Sequence, residues 1–315
     1  MAEPTPVYGS IDVGSNSVHL LVAALGANGL EPLVDESVFL GLGALVDRTG
    51  ELGTRACRRL AVAIHRFTER ARALGARTIV CIGTEPLRRA IDGPAIARAI
   101  GRLVGVSFDV LEHEEEGYLT LLGVDRGRRP RGELLVVDVG GGSTELVLVG
   151  QRGDVRAFGL QVGGARLTSR HVTGDPPTAA EIAALRHAAW QALEAAPPAR
   201  PTAAVVVGGT ATNLCRIVPG AEADRLLTPE RLAAAMDELG RRPAAATAAT
   251  YGMNPVRAGV LPAGAAILEA IIARYGLRDL ETSDASIREG AILAVAEGGQ
   301  DWRGRLPSLA AGWKA

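Results

Sequence analysis

The chain has 315 residues, of which 47% are hydrophobic and 22% are charged. This length allows two domains of roughly 150 residues each, and the composition is typical of a globular protein with well-filled cores. The formal net charge of −1 excludes a general attraction for nucleic acid, so any polyanion must be held by a local site. Three distant cysteines predict neither a disulfide framework nor a zinc site.

No stretch approaches the ~20 uninterrupted apolar residues of a membrane span. The first six residues also lack the basic and apolar regions of a signal peptide. The sequence therefore predicts a cytoplasmic protein that contacts neither a membrane nor nucleic acid.

Strands and helices alternate in the first part of the chain. Residues 8–13 form a predicted strand, which a turn connects to an apolar run at residues 18–25. Apolar residues at steps of three and four predict a helix over residues 54–74, which Gly75 ends. The other elements expected here are strands at residues 78–82 and 107–111 and helices at residues 94–103 and 114–124.

A second round follows a basic, glycine-containing loop at residues 125–132. Its arginines favour a solvated linker over a guide for a polyanion; they are Arg126, Arg128, Arg129 and Arg131. The elements expected beyond the loop are strands at residues 134–139, 146–149 and 203–207 and helices at residues 229–239, 262–275 and 286–296.

Two segments roughly one domain apart repeat a pattern. Residues 11–17 read Ile-Asp-Val-Gly-Ser-Asn-Ser, and residues 137–144 read Val-Asp-Val-Gly-Gly-Gly-Ser-Thr. Each is an apolar strand that ends in Asp-Val-Gly and continues through small polar residues into another apolar strand. The repeat predicts two related α/β lobes with a cleft between them.

The small residues of both turns suit phosphate. Successive backbone N–H groups in a tight turn form an anion-binding concavity, and glycine lets a ligand approach closely. The predicted phosphate-binding turn residues are Gly14, Ser15, Asn16, Ser17, Gly140, Gly141, Gly142, Ser143 and Thr144. A carboxylate beside phosphate is repulsive without an intervening cation, so Asp12 and Asp138 predict Mg²⁺. One such turn alone is equally consistent with an ordinary hairpin, whereas two matching turns favour a phosphate site.

Other nucleotide and metal motifs are missing from the sequence. It contains no G-x-x-x-x-G-K-S/T phosphate loop and no Rossmann fingerprint. The five histidines show no paired metal-ligand spacing, which disfavours a zinc mechanism.

Six segments together resemble the motifs of one family. They are residues 11–21, 83–90 (Gly-Thr-Glu-Pro-Leu-Arg-Arg-Ala), 115–118 (Glu-Glu-Gly-Tyr), 138–145 (Asp-Val-Gly-Gly-Gly-Ser-Thr-Glu), 208–210 (Gly-Gly-Thr) and 287–290 (Ile-Arg-Glu-Gly). The chain is similar to the Ppx/GppA family of exopolyphosphatases and guanosine pentaphosphate phosphohydrolases, within the actin/Hsp70/sugar-kinase superfamily.

This resemblance implies two actin-like (ribonuclease H-like) ATPase lobes with an interlobe cleft. The expected lobes are residues 1–125 and 126–291, with a helix at about 292–315 packing back on the first lobe. The chain resembles a short form without the C-terminal helical domains of longer members. It also has Gly259 where the family commonly has aspartate.

The resemblance also implies roles for individual residues. Glu116 is the expected general base, although acidic residues are common at a helix N-terminus for electrostatic reasons alone. The expected phosphate ligands outside the two turns are Thr84, Arg88, the third glycine turn Gly208, Gly209 and Thr210, and, more weakly, Arg166. The expected ligands of Mg²⁺, with Mn²⁺ as the alternative ion, are Asp138, Glu145 and Asp12; the alternative for Glu145 is an ordinary strand residue that faces solvent.

Four functions stay open at this point. The first is an exopolyphosphatase that releases terminal phosphate from inorganic polyphosphate, and the second a guanosine pentaphosphate 5′-phosphohydrolase of the stringent response. The third is an ATP-dependent kinase, which the expected base Glu116 and the lack of a sugar-binding motif disfavour. The fourth is a regulator that binds polyphosphate or alarmone without turnover. The resemblance is also compatible with a homodimer.

Overall fold

A computed structural model of the protein describes residues 5–124 and 132–312. The chain divides into two compact units. The first combines Met1–Gly123 with Ile287–Ala310, and the second is built from Val124–Ser286. Residues 125–131 of the predicted basic loop lie outside the described residues; they include Arg126, Arg128, Arg129 and Arg131.

The described elements alternate strands and helices along the chain. The strands are β1 (Val7–Val13), β2 (Ser17–Gly26), β3 (Gly29–Phe39), β4 (Thr78–Gly83), β5 (Ser107–Val110), β6 (Leu134–Val139), β7 (Thr144–Val149), β8 (Val155–Leu160), β9 (Ala203–Val207), β10 (Leu226–Leu227) and β11 (Leu280–Thr282). The helices are α1 (Leu42–Thr49), α2 (Gly53–Ala73), α3 (Glu85–Arg89), α4 (Gly93–Val104), α5 (His113–Gly123), α6 (Gly164–His171), α7 (Ala179–Leu193), α8 (Gly208–Ile217), α9 (Ala221–Asp224), α10 (Pro229–Arg241), α11 (Ala244–Tyr251), α12 (Pro255–Tyr275), α13 (Ile287–Gly298) and α14 (Trp302–Ala311).

The first unit is built on a five-stranded sheet in the order β3-β2-β1-β4-β5. Strands β1 to β3 form an antiparallel meander, while β4 and β5 run parallel to β1. The apolar stripe of α2 that the sequence predicted is buried, with Leu60, Ile64 and Phe67 fully enclosed in the core. Helix α13 packs against α5 and β1 within this unit.

The second unit repeats this arrangement. Its sheet has the order β10-β11-β9-β6-β7-β8, in which β6 to β8 form an antiparallel meander and β9 runs parallel to β6. Strand β11 continues the parallel part, and the two-residue β10 adds an edge. The sequence repeat thus corresponds to a repeated topology, which confirms the predicted pair of actin-like lobes.

Several elements differ from the sequence prediction. Strand β3 was missed because it is an edge strand with charged residues and Pro32, and it lacks a clear apolar alternation. Helix α7 was missed because its sequence is rich in alanine, which obscures the buried stripe of Leu185, Ala189 and Leu193, although the capping box of Thr178 and Glu181 marks its start. Helix α12 was predicted from residue 262 because proline favours a first turn. It begins at Pro255, capped by Asn254, and Pro262 lies inside the helix.

Helix α12 is the one helix among the described residues that is long and apolar enough to cross a membrane. Of its most apolar window, 67% is buried inside the protein, which is the usual state of a core helix. Leu261, Ile267 and Ile271 are among its enclosed side chains and belong to the core of the second unit.

Candidate active site

The two predicted phosphate turns have the same hydrogen-bond geometry. In the first unit the Gly14 N–H donates to the Ser17 carbonyl over 3.0 Å, and in the second the Gly140 N–H donates to the Ser143 carbonyl over 3.0 Å. Each turn joins two antiparallel strands, β1 with β2 and β6 with β7. The repeat in the sequence is therefore a repeat of the turn itself.

In each unit, N–H groups at the start of a helix later in the chain donate to the carbonyls of the turn. In the first unit the N–H groups of Leu40 and Gly41 donate to the Asn16 carbonyl over 2.9 Å each, and the Gly43 N–H donates to the Ser15 carbonyl over 2.8 Å. A Cβ atom on Gly43 would lie 2.7 Å from the Ser15 Cβ, so this close contact requires glycine. This support was not predicted from the sequence, because α1 was not predicted.

The second turn has equivalent support from α6. The N–H groups of Gly164 and Arg166 donate to the carbonyls of Gly140 and Gly141, over 3.0 Å each. The turn carbonyls thus face the supporting helices. Within the described residues, the inner N–H groups of both turns have no protein acceptor; they are those of Ser15, Asn16, Gly141 and Gly142. Such N–H groups are suited to an anion.

A threonine ties each turn to the neighbouring parallel strand. The Thr84 hydroxyl donates to the Val13 carbonyl over 3.1 Å, and the Thr210 hydroxyl donates to the Val139 carbonyl over 3.0 Å. These paired contacts extend the internal repeat to Gly83-Thr84 and Gly209-Thr210. The predicted third glycine turn is in fact the first turn of helix α8, with Gly208 at φ +86°.

Two predicted hydroxyl ligands have protein acceptors. The Ser15 hydroxyl donates to a Glu85 carboxylate oxygen over 2.8 Å, and the fully buried Thr144 hydroxyl donates to the Val162 carbonyl over 2.7 Å. Glu85 in turn accepts from Arg89 over 2.5 Å. Arg89 thus belongs to the support of the first turn. Anion binding by these turns would rest mainly on backbone N–H groups.

The predicted base and one predicted phosphate ligand contact each other in the first unit. The Arg88 guanidinium pairs with Glu116, donates to the Leu111 carbonyl over 2.6 Å and lies 3.0 Å from His113 Nδ1. The side chains of Arg88 and Glu116 are 14% and 7% exposed, so the pair is largely shielded from water. Arg88 therefore fixes the position of the Glu116 carboxylate, and its phosphate contact stays a prediction.

Two neighbours of Glu116 have separate roles. Burial, together with the Arg88 charge, lowers the pKa of His113 below its ordinary value of 6.5, so its neutral ring can accept from Arg88. The Glu115 carboxylate accepts from the Glu112 N–H over 2.7 Å and pairs with Arg303 over 2.6 Å. Glu115 thus caps α5, which leaves Glu116 as the carboxylate suited to catalysis.

The predicted metal ligands of the second unit lie directly opposite each other. Asp138 on β6 faces Glu145 on β7 in antiparallel register, so both side chains point to one face of the sheet. Glu145 is buried at 3% exposure, which excludes the solvent-facing interpretation. Two opposed carboxylates repel each other unless a cation lies between them, and oxygen ligands suit Mg²⁺.

Asp138 itself is in an environment that favours a cation. Desolvation raises the pKa of its carboxyl from 3.8 to about 6, and no basic side chain in the described part of the chain forms an ion pair with it. A Cβ atom on Gly208 would lie 2.8 Å from Asp138 Oδ1, so the start of α8 closes over this carboxylate. These residues fit a magnesium ion. Asp12 lies in the first unit opposite His19, and its part in metal binding stays a prediction.

Replacing Asp138 with asparagine should stabilise the metal-free protein at neutral pH. The native pKa lies above the unfolded value, so the native state loses stability as pH rises through about 6. This shift in pKa lowers the free energy of unfolding by about 3 kcal/mol at pH 8 and by about half of that at pH 5. Urea unfolding in EDTA at both pH values measures this gain. The exposed Asp237 on α10 is the matched control, because Asp237→Asn should change stability little at either pH.

The structure adds one arginine that the sequence analysis did not select. A Cβ atom on Gly209 would lie 2.0 Å from Arg257 Nη1, so the guanidinium of Arg257 lies against the first turn of α8. No compositional signal separates Arg257 from other arginines of this arginine-rich chain. Arg166, the weaker candidate, is 3% exposed and donates to the Gln161 carbonyl over 3.1 Å; its phosphate contact stays a prediction.

Comparison with known families agrees with these motifs. The model of the Ppx/GppA phosphatase family matches residues 21–297. The chain belongs to the Ppx/GppA phosphatase family. This match covers most of both units. It includes Glu116, the segments at residues 138–145 and 208–210, and the Arg-Glu-Gly element of α13.

Similar members of the Ppx/GppA family include both named activities. The chain is 29% identical over 300 residues to exopolyphosphatase 1 of Mycobacterium tuberculosis, covering 90% of this chain and 87% of the relative. It is 30% identical over 321 residues to exopolyphosphatase 2 of the same species, covering 91% and 98%. A guanosine-5′-triphosphate,3′-diphosphate pyrophosphatase of Photobacterium profundum is 27% identical over 293 residues, covering 91% of this chain and 59% of the relative.

A solved structure supports the fold assignment. The Aquifex aeolicus member of the Ppx/GppA family superimposes with a TM-score of 0.79 at 26% identity, covering 94% of this chain and 99% of that one.

Proposed function

We propose that this Ppx/GppA protein is a magnesium-dependent exopolyphosphatase that removes the terminal phosphate of inorganic polyphosphate. The observation that carries the proposal is the buried Glu116 carboxylate, held on α5 in the same unit as one of the two predicted phosphate-binding turns. A binding protein has no need of such a carboxylate near phosphate, whereas a hydrolase needs one to accept a proton from water. Similarity to two named exopolyphosphatases over most of their length supports the choice of substrate.

Each group has a separate part in the reaction. The inner N–H groups of the two turns bind phosphate oxygens. Asp138 and Glu145 would hold Mg²⁺, which when bound neutralises charge on the transferring phosphoryl group. Glu116 orients the attacking water and accepts its proton, and Arg88 holds that carboxylate in place. The leaving group is the shortened polyphosphate.

Guanosine pentaphosphate is the second candidate substrate. Its 5′ terminal phosphate is a phosphoanhydride like the end of polyphosphate, so the same carboxylate and turns would serve both. The named pyrophosphatase relative supports this alternative, although the chain spans 59% of that protein's length. The two other functions, an ATP-dependent kinase and a regulator without turnover, are tested by the assay described next.

The substrate is identified by a comparison of rates. Purified protein with Mg²⁺ is given long polyphosphate, triphosphate, guanosine pentaphosphate and ATP separately, and orthophosphate release is measured. We expect the highest kcat/KM with long polyphosphate, loss of release in EDTA, and recovery on adding Mg²⁺ or, less efficiently, Mn²⁺. A higher kcat/KM with guanosine pentaphosphate would select the alternative, and release from none of the four would refute both hydrolase proposals.

We further propose that the protein acts in the cytoplasm, the location that the sequence predicts. A homodimer is an expectation from the family resemblance, and light scattering of the purified chain tests it.

A further inference from the structure

Arg303, on α14, contacts both the end of strand β5 and the first turn of helix α5. Arg303 on α14 binds the Glu115 carboxylate through two hydrogen bonds, from Nε over 2.6 Å and from Nη2 over 2.7 Å. Nη2 also donates to the Val110 carbonyl over 2.9 Å, and Nη1 lies 3.6 Å from Asp109. Arg303 therefore connects the last strand of the sheet to the first turn of α5.

Arg88 also contacts the junction between β5 and α5. Arg88 donates to the Leu111 carbonyl, which follows the Val110 carbonyl bound by Arg303. Neighbouring carbonyls of an extended chain point in opposite directions, so the two arginines hold opposite sides of one short connection. Glu116, the expected base, follows this connection and pairs with Arg88.

A second contact from the C-terminal segment holds the next turn of α5. Gly290 on α13 packs so closely that a Cβ atom there would lie 1.7 Å from the Leu119 carbonyl oxygen. Arg303 thus contacts the first turn of α5 through the Glu115 side chain, and Gly290 contacts the next turn at its backbone.

We propose that Arg303 is a positioning residue for the reaction: through Glu115 it sets where α5 places the Glu116 carboxylate. The inference rests on the proposed function, since it assigns Glu116 a water to orient. It also gives Glu115 a role separate from that of its neighbour. A shift of about 1 Å in a catalytic group can lower a rate by up to about 100-fold, so a bidentate contact at this point has kinetic consequences.

Kinetics of paired variants test the proposal. We expect Arg303→Met to lower kcat with polyphosphate about tenfold and to change KM less than about twofold. Arg303→Lys should recover part of this loss, because lysine keeps the charge but lacks the planar fork. Glu115→Gln should cause a similar loss, and the double variant should lose no more than either single one. Arg305→Met is the matched control, because Arg305 on the same helix is exposed and donates to the Glu297 carbonyl.

Two outcomes would overturn the proposal. One is an unchanged kcat in Arg303→Met at a temperature well below its Tm, which would make the contact merely structural. The other is additive losses in the double variant. Amide hydrogen exchange of residues 111–123 separates this proposal from the proposed function: Arg303→Met should accelerate exchange there more than in α2 even if the wild type hydrolyses none of the tested substrates. Equal exchange in both regions would again contradict positioning.

Discussion

Replacing Glu116 with glutamine is expected to lower kcat for polyphosphate hydrolysis about 1,000-fold, with little change in substrate affinity. A positioned general base contributes roughly 100-fold to 10,000-fold to a rate, and an amide cannot accept the proton of the attacking water. Glutamine has nearly the same shape, so the turns that bind phosphate keep their geometry. Steady-state release of orthophosphate measures kcat, and equilibrium binding of triphosphate measures the affinity.

The neighbouring Glu114 provides the control for this change. Glu114 is exposed in the first turn of α5, so Glu114→Gln should keep near-normal kcat while removing the same charge. Near-normal turnover in Glu116→Gln would show that another group accepts the proton. Equal losses in both variants would point to a general charge effect at the helix N-terminus.

Replacing Gly290 with alanine is expected to destabilise the first unit by at least about 3 kcal/mol. The added Cβ would lie 1.7 Å from the Leu119 carbonyl oxygen and 2.6 Å from its carbonyl carbon, so two helix backbones must separate. For a unit of this size the loss corresponds to a fall in Tm of roughly 10 °C. Calorimetry measures the fall in Tm. The rate of polyphosphate hydrolysis should also fall, because α5 carries Glu116.

Gly26 is the matched control within the same unit. A Cβ atom on Gly26 would meet nothing within 4 Å, and its φ is not positive. Gly26→Ala should therefore change stability by less than about 0.5 kcal/mol. A Tm for Gly290→Ala close to that of Gly26→Ala would mean that α13 does not pack closely on α5.

The repeated strands and turns could be predicted because local sequence determines them. Asp-Val-Gly at the end of an apolar strand specifies a chain reversal, and both copies form the same hydrogen-bonded turn. Helix α2 was predictable because its apolar residues form one stripe. The contacts of α1 and α6 with the turns could not be predicted, because both helices are short and lie 20 residues or more from the turns in sequence.

The charge pairs of the site depend on tertiary contacts in the same way. The pairing of Arg88 with Glu116 joins residues 28 apart in sequence, and the contact of Arg303 with Glu115 joins residues 188 apart. Glu116 was predicted as the base by family resemblance alone, since three successive glutamates carry no local signal that separates them. Only the partners of each carboxylate separate the helix cap, Glu115, from the expected base.

Hydrolysis in water labelled with oxygen-18 tests the central claim most directly. The protein is incubated with Mg²⁺ and long polyphosphate, and mass spectrometry then locates the label. Attack by water on the terminal phosphorus predicts that each released orthophosphate carries one labelled oxygen, that the shortened polymer carries none, and that Glu116→Gln releases almost no orthophosphate. Label in the polymer end with unlabelled orthophosphate, or no release by the wild type, would contradict the account.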